Sequence, residues 1–178
     1  MASAEKGAPR GHNGDFIIER LKEVSFFSLL EHDEETLRKI AALCQRRSFR
    51  RGKYIIREGE YGDELFIIMR GEIEIVKTTL QNEPYTVSSF SSEEGAISVG
   101  EMALIDNDRR SASVLAKTDC DCMVMTRDDF IRFGDENPAA GLAITRAIAC
   151  QLAGYLRKSN TDVITLFSAL VEEISAEG

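Results

Sequence analysis

The residues best suited to chemistry crowd into one stretch, 100–114, with the sequence GEMALIDNDRRSASV. Gly100 has no Cβ, so the backbone there can bend sharply and approach a ligand closely. Glu101, Met102, Ala103 and Leu104 then fit one helical turn, whose unpaired N–H groups and positive dipole end suit an anion. A polar turn over 106–108 follows, and Arg109 and Arg110 bring guanidinium forks back toward the same anion. Ser111 and Ser113 add hydroxyl donors as the chain enters a strand through Val114 and Leu115. A single carboxylate, Glu101, beside an anion site fits a ligand whose sugar hydroxyl lies near its phosphate. That is the chemistry of a nucleotide.

Other reactive groups are sparse. The four cysteines stand at 44, 120, 122 and 150. Cys120 and Cys122 fall on one face of a strand, where a metal would need two more ligands, so both are expected in the core, as is Cys44. His12 and His32 are too few and too scattered for a metalloenzyme or phosphodiesterase, and no nucleophile–base pair is visible. A non-catalytic protein without metal or cofactor is expected.

The elements that must position these residues are legible from periodicity. Residues 15–30 carry Phe16, Ile17, Leu21, Val24, Phe27 and Leu30 near helical spacing, predicting one or two short helices. Asp33 predicts an N-cap for a second helix with the stripe Leu37, Ile40, Ala41 and Cys44. From Phe49 to Met125 short β-branched and aromatic runs alternate with turn residues. Strands are expected over 53–57, 64–70, 71–77, 85–90, 111–116 and 120–126, with Ile73, Ile75 and Lys77 opposing Glu72, Glu74 and Val76. The basic run over 46–53 reads as a solvated helix-to-strand connection. After Arg127 a short helix is expected over 128–134, then a long one opened by Pro138. In it Leu142, Ala149, Leu156, Val163 and Leu170 form a heptad column with Leu152 and Leu166 beside it, and Ser159 and Asn160 are positions where it could bend or break. That column predicts a seam shared by two copies. The fold class is mainly β with flanking helices: an antiparallel β jelly roll (double-stranded β-helix), N-terminal helices and a long C-terminal helix.

The net charge of −8 over 178 residues repels nucleic-acid phosphate and anionic lipid, so neither DNA nor a membrane is an expected partner. Residues 1–14 lack the apolar stretch of a signal peptide and read as a flexible arm; no run of about 20 apolar residues follows, and a cytoplasmic location is expected.

Two motifs at this separation resemble the cyclic-nucleotide-binding domain family. Members include the bacterial catabolite activator protein, the regulatory subunits of cyclic-AMP-dependent protein kinase and cytoplasmic domains of nucleotide-gated channels. One motif is IREGEYGDELFII over 56–68, followed by Gly71 and Glu72; the other is the 100–114 segment, similar to the family's phosphate-binding cassette. The resemblance implies that Glu101 accepts a hydrogen bond from the ribose 2′-hydroxyl. It places Arg110 at the arginine that pairs with the cyclic phosphate, and Gly100, Met102, Ala103 and Leu104 in the turn whose amides face it. It also implies that Ser111 reaches the phosphate or the base, and that Ser159 and Asn160 on the long helix reach the base. Val99 stands where the family usually carries an aromatic residue. The bacterial activators continue into a helix-turn-helix domain, for which no room follows Ile174.

The domain organisation expected from these readings is an arm over 1–14, a ligand-binding β-roll with its N-terminal helices over 15–134, and a dimerising, lid-forming helix over 135–178. The expected ligand is cyclic AMP in preference to cyclic GMP. The expected partners are a second copy of the chain and an unidentified downstream protein. A protein–protein scaffold with a degenerate pocket and a sensor of another effector on the same fold remain as alternatives.

Overall fold

The computed structural model describes residues 14–176; the arm expected over 1–14 lies outside these except for Gly14, which opens the first helix. That helix, α1 (Gly14–Glu23), buries Ile17, Ile18 and Leu21. A 3₁₀ turn (Ser28–Leu30) leads to α2 (Glu34–Leu43), which buries Leu37 and Ile40. The Asp33 carboxylate accepts the Thr36 N–H at 3.0 Å, satisfying one of the helix's orphan donors as its sequence position predicts.

Eight strands follow: β1 (Gln45–Phe49), β2 (Tyr54–Ile56), β3 (Glu64–Arg70), β4 (Glu72–Thr78), β5 (Pro84–Ser91), β6 (Ile97–Val99), β7 (Ser113–Ala116) and β8 (Cys120–Thr126). They form two antiparallel four-stranded sheets, ordered β1-β8-β3-β6 and β2-β7-β4-β5. The interleaved order makes the expected jelly roll.

Two local readings need correction. The basic run over 46–53 is not a bare connection, because its first half is strand β1, paired with β8 from Gln45 opposite Val124 to Phe49 opposite Cys120. An edge strand needs only backbone partners and tolerates charge on its side chains, so it shows no apolar alternation. Strand β6 has a different cause: Ile97, Ser98 and Val99 do alternate, but three residues are too few for a period to show, and they become a strand by pairing Ile97 and Val99 with Ile68 and Phe66 of β3. In β4 the expected alternation holds on the roll side, where Ile73 and Ile75 face Ala116 and Val114 of β7. Val76 is buried as well, and the register shift between Ile75 and Val76 lies in the pairing with β5, where Val87 is passed over.

Strand β3 is apolar on both faces because it separates two cores. Leu65 and Ile67 pack with the helices, among Leu21, Phe27, Leu37 and Phe133. Phe66 and Ile68 point into the roll, among Ile56, Val99, Val114 and Val124.

After β8, the Thr126 hydroxyl caps α3 (Arg127–Glu136) by accepting the Asp129 N–H at 3.1 Å. The last helix, α4 (Pro138–Ala176), is unbroken over 39 residues and runs through Ser159 and Asn160 without interruption. Ile144 and Ile148 seat its first half on the core, and a Cβ on Gly141 would lie 2.6 Å from Gly134 Cα, so α3 and α4 touch backbone to backbone. Every residue over 155–175 is exposed. By length and composition α4 is apolar enough to cross a bilayer, its most apolar stretch reaching a mean hydropathy of 1.3, although Thr145, Arg146 and Gln151 divide it into short apolar runs.

Candidate functional site

Pairing of β6 with β3 delivers Gly100 to the beginning of β3. Gly100 has φ 86°, the left-handed region that glycine enters without strain. A Cβ there would meet Arg110 Nη1 at 2.7 Å and the Glu64 carbonyl at 2.8 Å, so both the conformation and the space require glycine. Glu101, Met102, Ala103 and Leu104 form the expected turn, of 3₁₀ type, closed by the Ala103 N–H donating to the Gly100 carbonyl at 3.1 Å. Ala103 and Leu104 are buried beneath it, while Met102 is exposed.

Arg110 is partly buried and faces this turn. Its Nη2 donates to the Glu64 carbonyl at 2.7 Å and Nη1 to the Gly100 carbonyl at 3.4 Å. The guanidinium lies against Gly62, where a Cβ would stand 2.8 Å from both Nε and Nη2. Its backbone is fixed from the other side: the Arg110 N–H donates to the Glu60 carbonyl and the Gly59 N–H to the Arg110 carbonyl, each at 2.9 Å. The Ser113 hydroxyl accepts the Glu58 N–H at 2.9 Å, adding a second tie between β7 and this loop.

Among the described residues Arg110 has no ion-pair partner. Burial lowers its pKa, a tendency opposed by the charges of Glu64, Asp63 and Glu101. Burial likewise raises the Glu101 carboxyl, against its own amide, Arg110 and the Gly100 amide. The site therefore holds a desolvated cation and a desolvated carboxyl whose environments both ask for a polar partner. A cavity of about 190 Å³ opens beside Arg110, lined in part by Ile56, Tyr61, Gly62, Glu64 and Phe66.

Gly100, Glu101, Met102, Ala103, Leu104 and Arg110 are thus brought together as the sequence predicts. Ser111 follows Arg110 and is exposed. Ser159 and Asn160 are exposed on the far half of α4, and the single chain does not bury them against the turn. Arg109, expected to turn toward the same anion as Arg110, is engaged elsewhere. Its guanidinium stacks 4.6 Å from the Tyr61 ring centroid and donates to the Gly59 carbonyl at 2.7 Å. Neither sequence motif marks Gly62 or the Glu64 carbonyl as a partner of Arg110. The sequence signal is a glycine just ahead of a strand, and its opposition to Arg110 is visible only in three dimensions.

Cys120 and Cys122 are buried in the roll, and Cys44 is packed against the helical core. Burial, aided by Asp129, pushes the Cys44 thiol up to about 12, and burial also pushes the Cys122 thiol upward, which makes both poor nucleophiles. Among the described residues no group of three His, Cys, Asp or Glu side chains is arranged to hold a metal ion.

Comparison with known proteins agrees with this geometry. The profile described as cyclic nucleotide-binding domain matches residues 46–137. The cAMP-dependent protein kinase regulatory subunit of Emericella nidulans is 37% identical over 112 residues, which cover 63% of this chain and 25% of that protein. The cGMP-dependent protein kinase 2 of Homo sapiens is 34% identical over 112 residues, covering 62% of this chain and 14% of the kinase. The chain therefore spans a quarter or less of these two relatives. A crystal structure of a cyclic nucleotide-binding domain from Methylobacillus flagellatus shares the fold at a TM-score of 0.69 and 24% identity, covering 84% of this chain and 82% of that one.

Proposed function

The chain belongs to the cyclic nucleotide-binding domain family, and on that premise we propose that it is a non-catalytic regulatory module that captures cyclic AMP in preference to cyclic GMP. The observation carrying this reading is Arg110, desolvated, without an ion-pair partner among the described residues, and directing its terminal nitrogens to two carbonyl oxygens. A cyclic phosphate entering beside the 100–104 turn offers it a charged acceptor, and charge-assisted hydrogen bonds are roughly twice as strong as neutral ones. Glu101 accepts from the ribose 2′-hydroxyl, and Ser111 reaches the phosphate or base. The preference for cyclic AMP rests on Ser111 after Arg110, a pairing similar to that of the bacterial activators.

Regulation follows from connectivity. The turn packs on α3, and α3 packs on α4. Movement of the turn toward a ligand is therefore felt by α4, to the extent that the ligand binds the two arrangements unequally. We also infer that α4 pairs with a second copy of the chain. Leu156, Val163 and Leu170 are exposed along one column, with Phe167 and Ile174 exposed four residues beyond two of them. In such a pair Ser159 and Asn160 would have a route to a ligand that the lone chain does not provide.

Isothermal titration of the purified protein with cyclic AMP, cyclic GMP and linear AMP tests the reading. The expected result is saturable heat with cyclic AMP, weaker binding of cyclic GMP and none of linear AMP at the same concentrations. A folded protein that gives no heat with either cyclic nucleotide refutes it and favours the scaffold.

A further inference from the structure

The basic run over 46–53 supplies a residue to the site that no cassette motif contains. Arg47 lies on β1 directly opposite Cys122, whose side chain is buried in the roll, so Arg47 is on the inward face. Glu64 lies two residues before the inward-facing Phe66 and shares its face. The two meet in a paired contact, Arg47 Nη1 to Glu64 Oε2 at 2.8 Å and Nη2 to Oε1 at 2.6 Å. The Arg47 guanidinium also sits 5.7 Å from the Phe66 ring centroid, which fixes its orientation. The carbonyl of this same Glu64 accepts from Arg110 Nη2 at 2.7 Å. One residue thus gives Arg110 its carbonyl while its carboxylate is turned away to another arginine.

We infer that Arg47 is a positioning residue: by engaging the Glu64 carboxylate at two points it keeps that carboxylate off Arg110 and leaves Arg110 open to an anionic ligand. Of the carboxylates near Arg110, Glu64 contributes the strongest charge interaction, ahead of Asp63 and Glu101. Freed from Arg47, it becomes an internal anion tethered beside the guanidinium, in competition with a phosphate. The inference rests on the ligand role proposed for Arg110.

Titration with cyclic AMP of the wild type, Arg47→Met, Arg47→Lys and the double variant Arg47→Met with Glu64→Gln tests it. Arg47→Met should weaken binding about tenfold, and the double variant should return to within about twofold of wild type, because the competing charge is gone. Arg47→Lys, which keeps the charge but not the paired geometry, should fall between. Wild-type affinity in Arg47→Met overturns the inference, as does a double variant as weak as the single. Thermal unfolding checks that each variant is folded, and if Arg47→Met is not, Arg47→Lys with and without Glu64→Gln makes the same comparison. A wild type that binds no cyclic nucleotide refutes the ligand reading itself, whereas wild-type binding with an indifferent Arg47 refutes only the positioning role.

Discussion

Arg110 and Glu101 are two groups held under tension by burial, and each yields a measurement. Removing Arg110 takes away the guanidinium that donates to the Gly100 carbonyl at the head of the turn. Arg110→Ala should weaken cyclic AMP by about 2–5 kcal/mol, read as a thirtyfold to several-thousandfold rise in Kd by titration. Gly62→Ala should act through the same guanidinium, since its Cβ would intrude to 2.8 Å. The two losses should therefore fail to add when combined, whereas independent effects would add. Glu101 is the opposite case in sign. Its carboxyl is raised in the folded chain, so the native state holds that proton more tightly than the unfolded one. The stabilisation from that proton is complete at acid pH and is lost as pH rises through the ordinary carboxylate range to the raised value. Glu101→Gln should accordingly melt higher than wild type at neutral pH and converge with it in acid. The same variant should bind cyclic AMP more weakly by about 1.5–3 kcal/mol, the worth of a hydrogen bond to a charged group. A neutral-pH melting temperature equal to wild type would show that the carboxyl is not strained.

Helices α3 and α4 act as one element because their backbones meet at Gly134 and Gly141. No side chain cushions that crossing, so any displacement of α3 by the 100–104 turn is passed on by direct contact. Gly141→Ala must push the helices apart, since its Cβ would lie 2.6 Å from Gly134 Cα. Overpacking of this kind should destabilise by about 1–3 kcal/mol in urea unfolding. Retention of wild-type stability would mean that the crossing is loose. At the same scale the helices and their caps were legible in advance: Asp33 caps α2, and Pro138 begins α4. Each of those signals involves residues within a turn of one another. β1 was not legible, because its residues Gln45, Arg46, Arg47 and Ser48 carry no strand pattern and become a strand only by pairing with β8.

For the molecule as a whole, the two cores share β3, so the helices and the roll cannot unfold independently without stripping one face of that strand. The far half of α4 lies outside this shared body and leaves Leu156, Val163 and Leu170 exposed. Light scattering of the purified chain is expected to report a dimer, and Leu156→Glu with Val163→Glu a monomer that keeps its fold. A monomeric wild type at tens of micromolar would remove the seam. The chemistry of the site was written in contiguous residues: Gly100 for a left-handed bend, four residues for a turn, and an arginine returning to it. Adjacent residues constrain one another through local dihedrals and short hydrogen bonds, so that part could be read directly. Tertiary structure alone decided that Gly62 makes room for Arg110, that Arg109 stacks on Tyr61, and that Arg47 holds Glu64 aside. Those meetings depend on strand register across the sheets, where a shift of one residue sends every side chain to the opposite face.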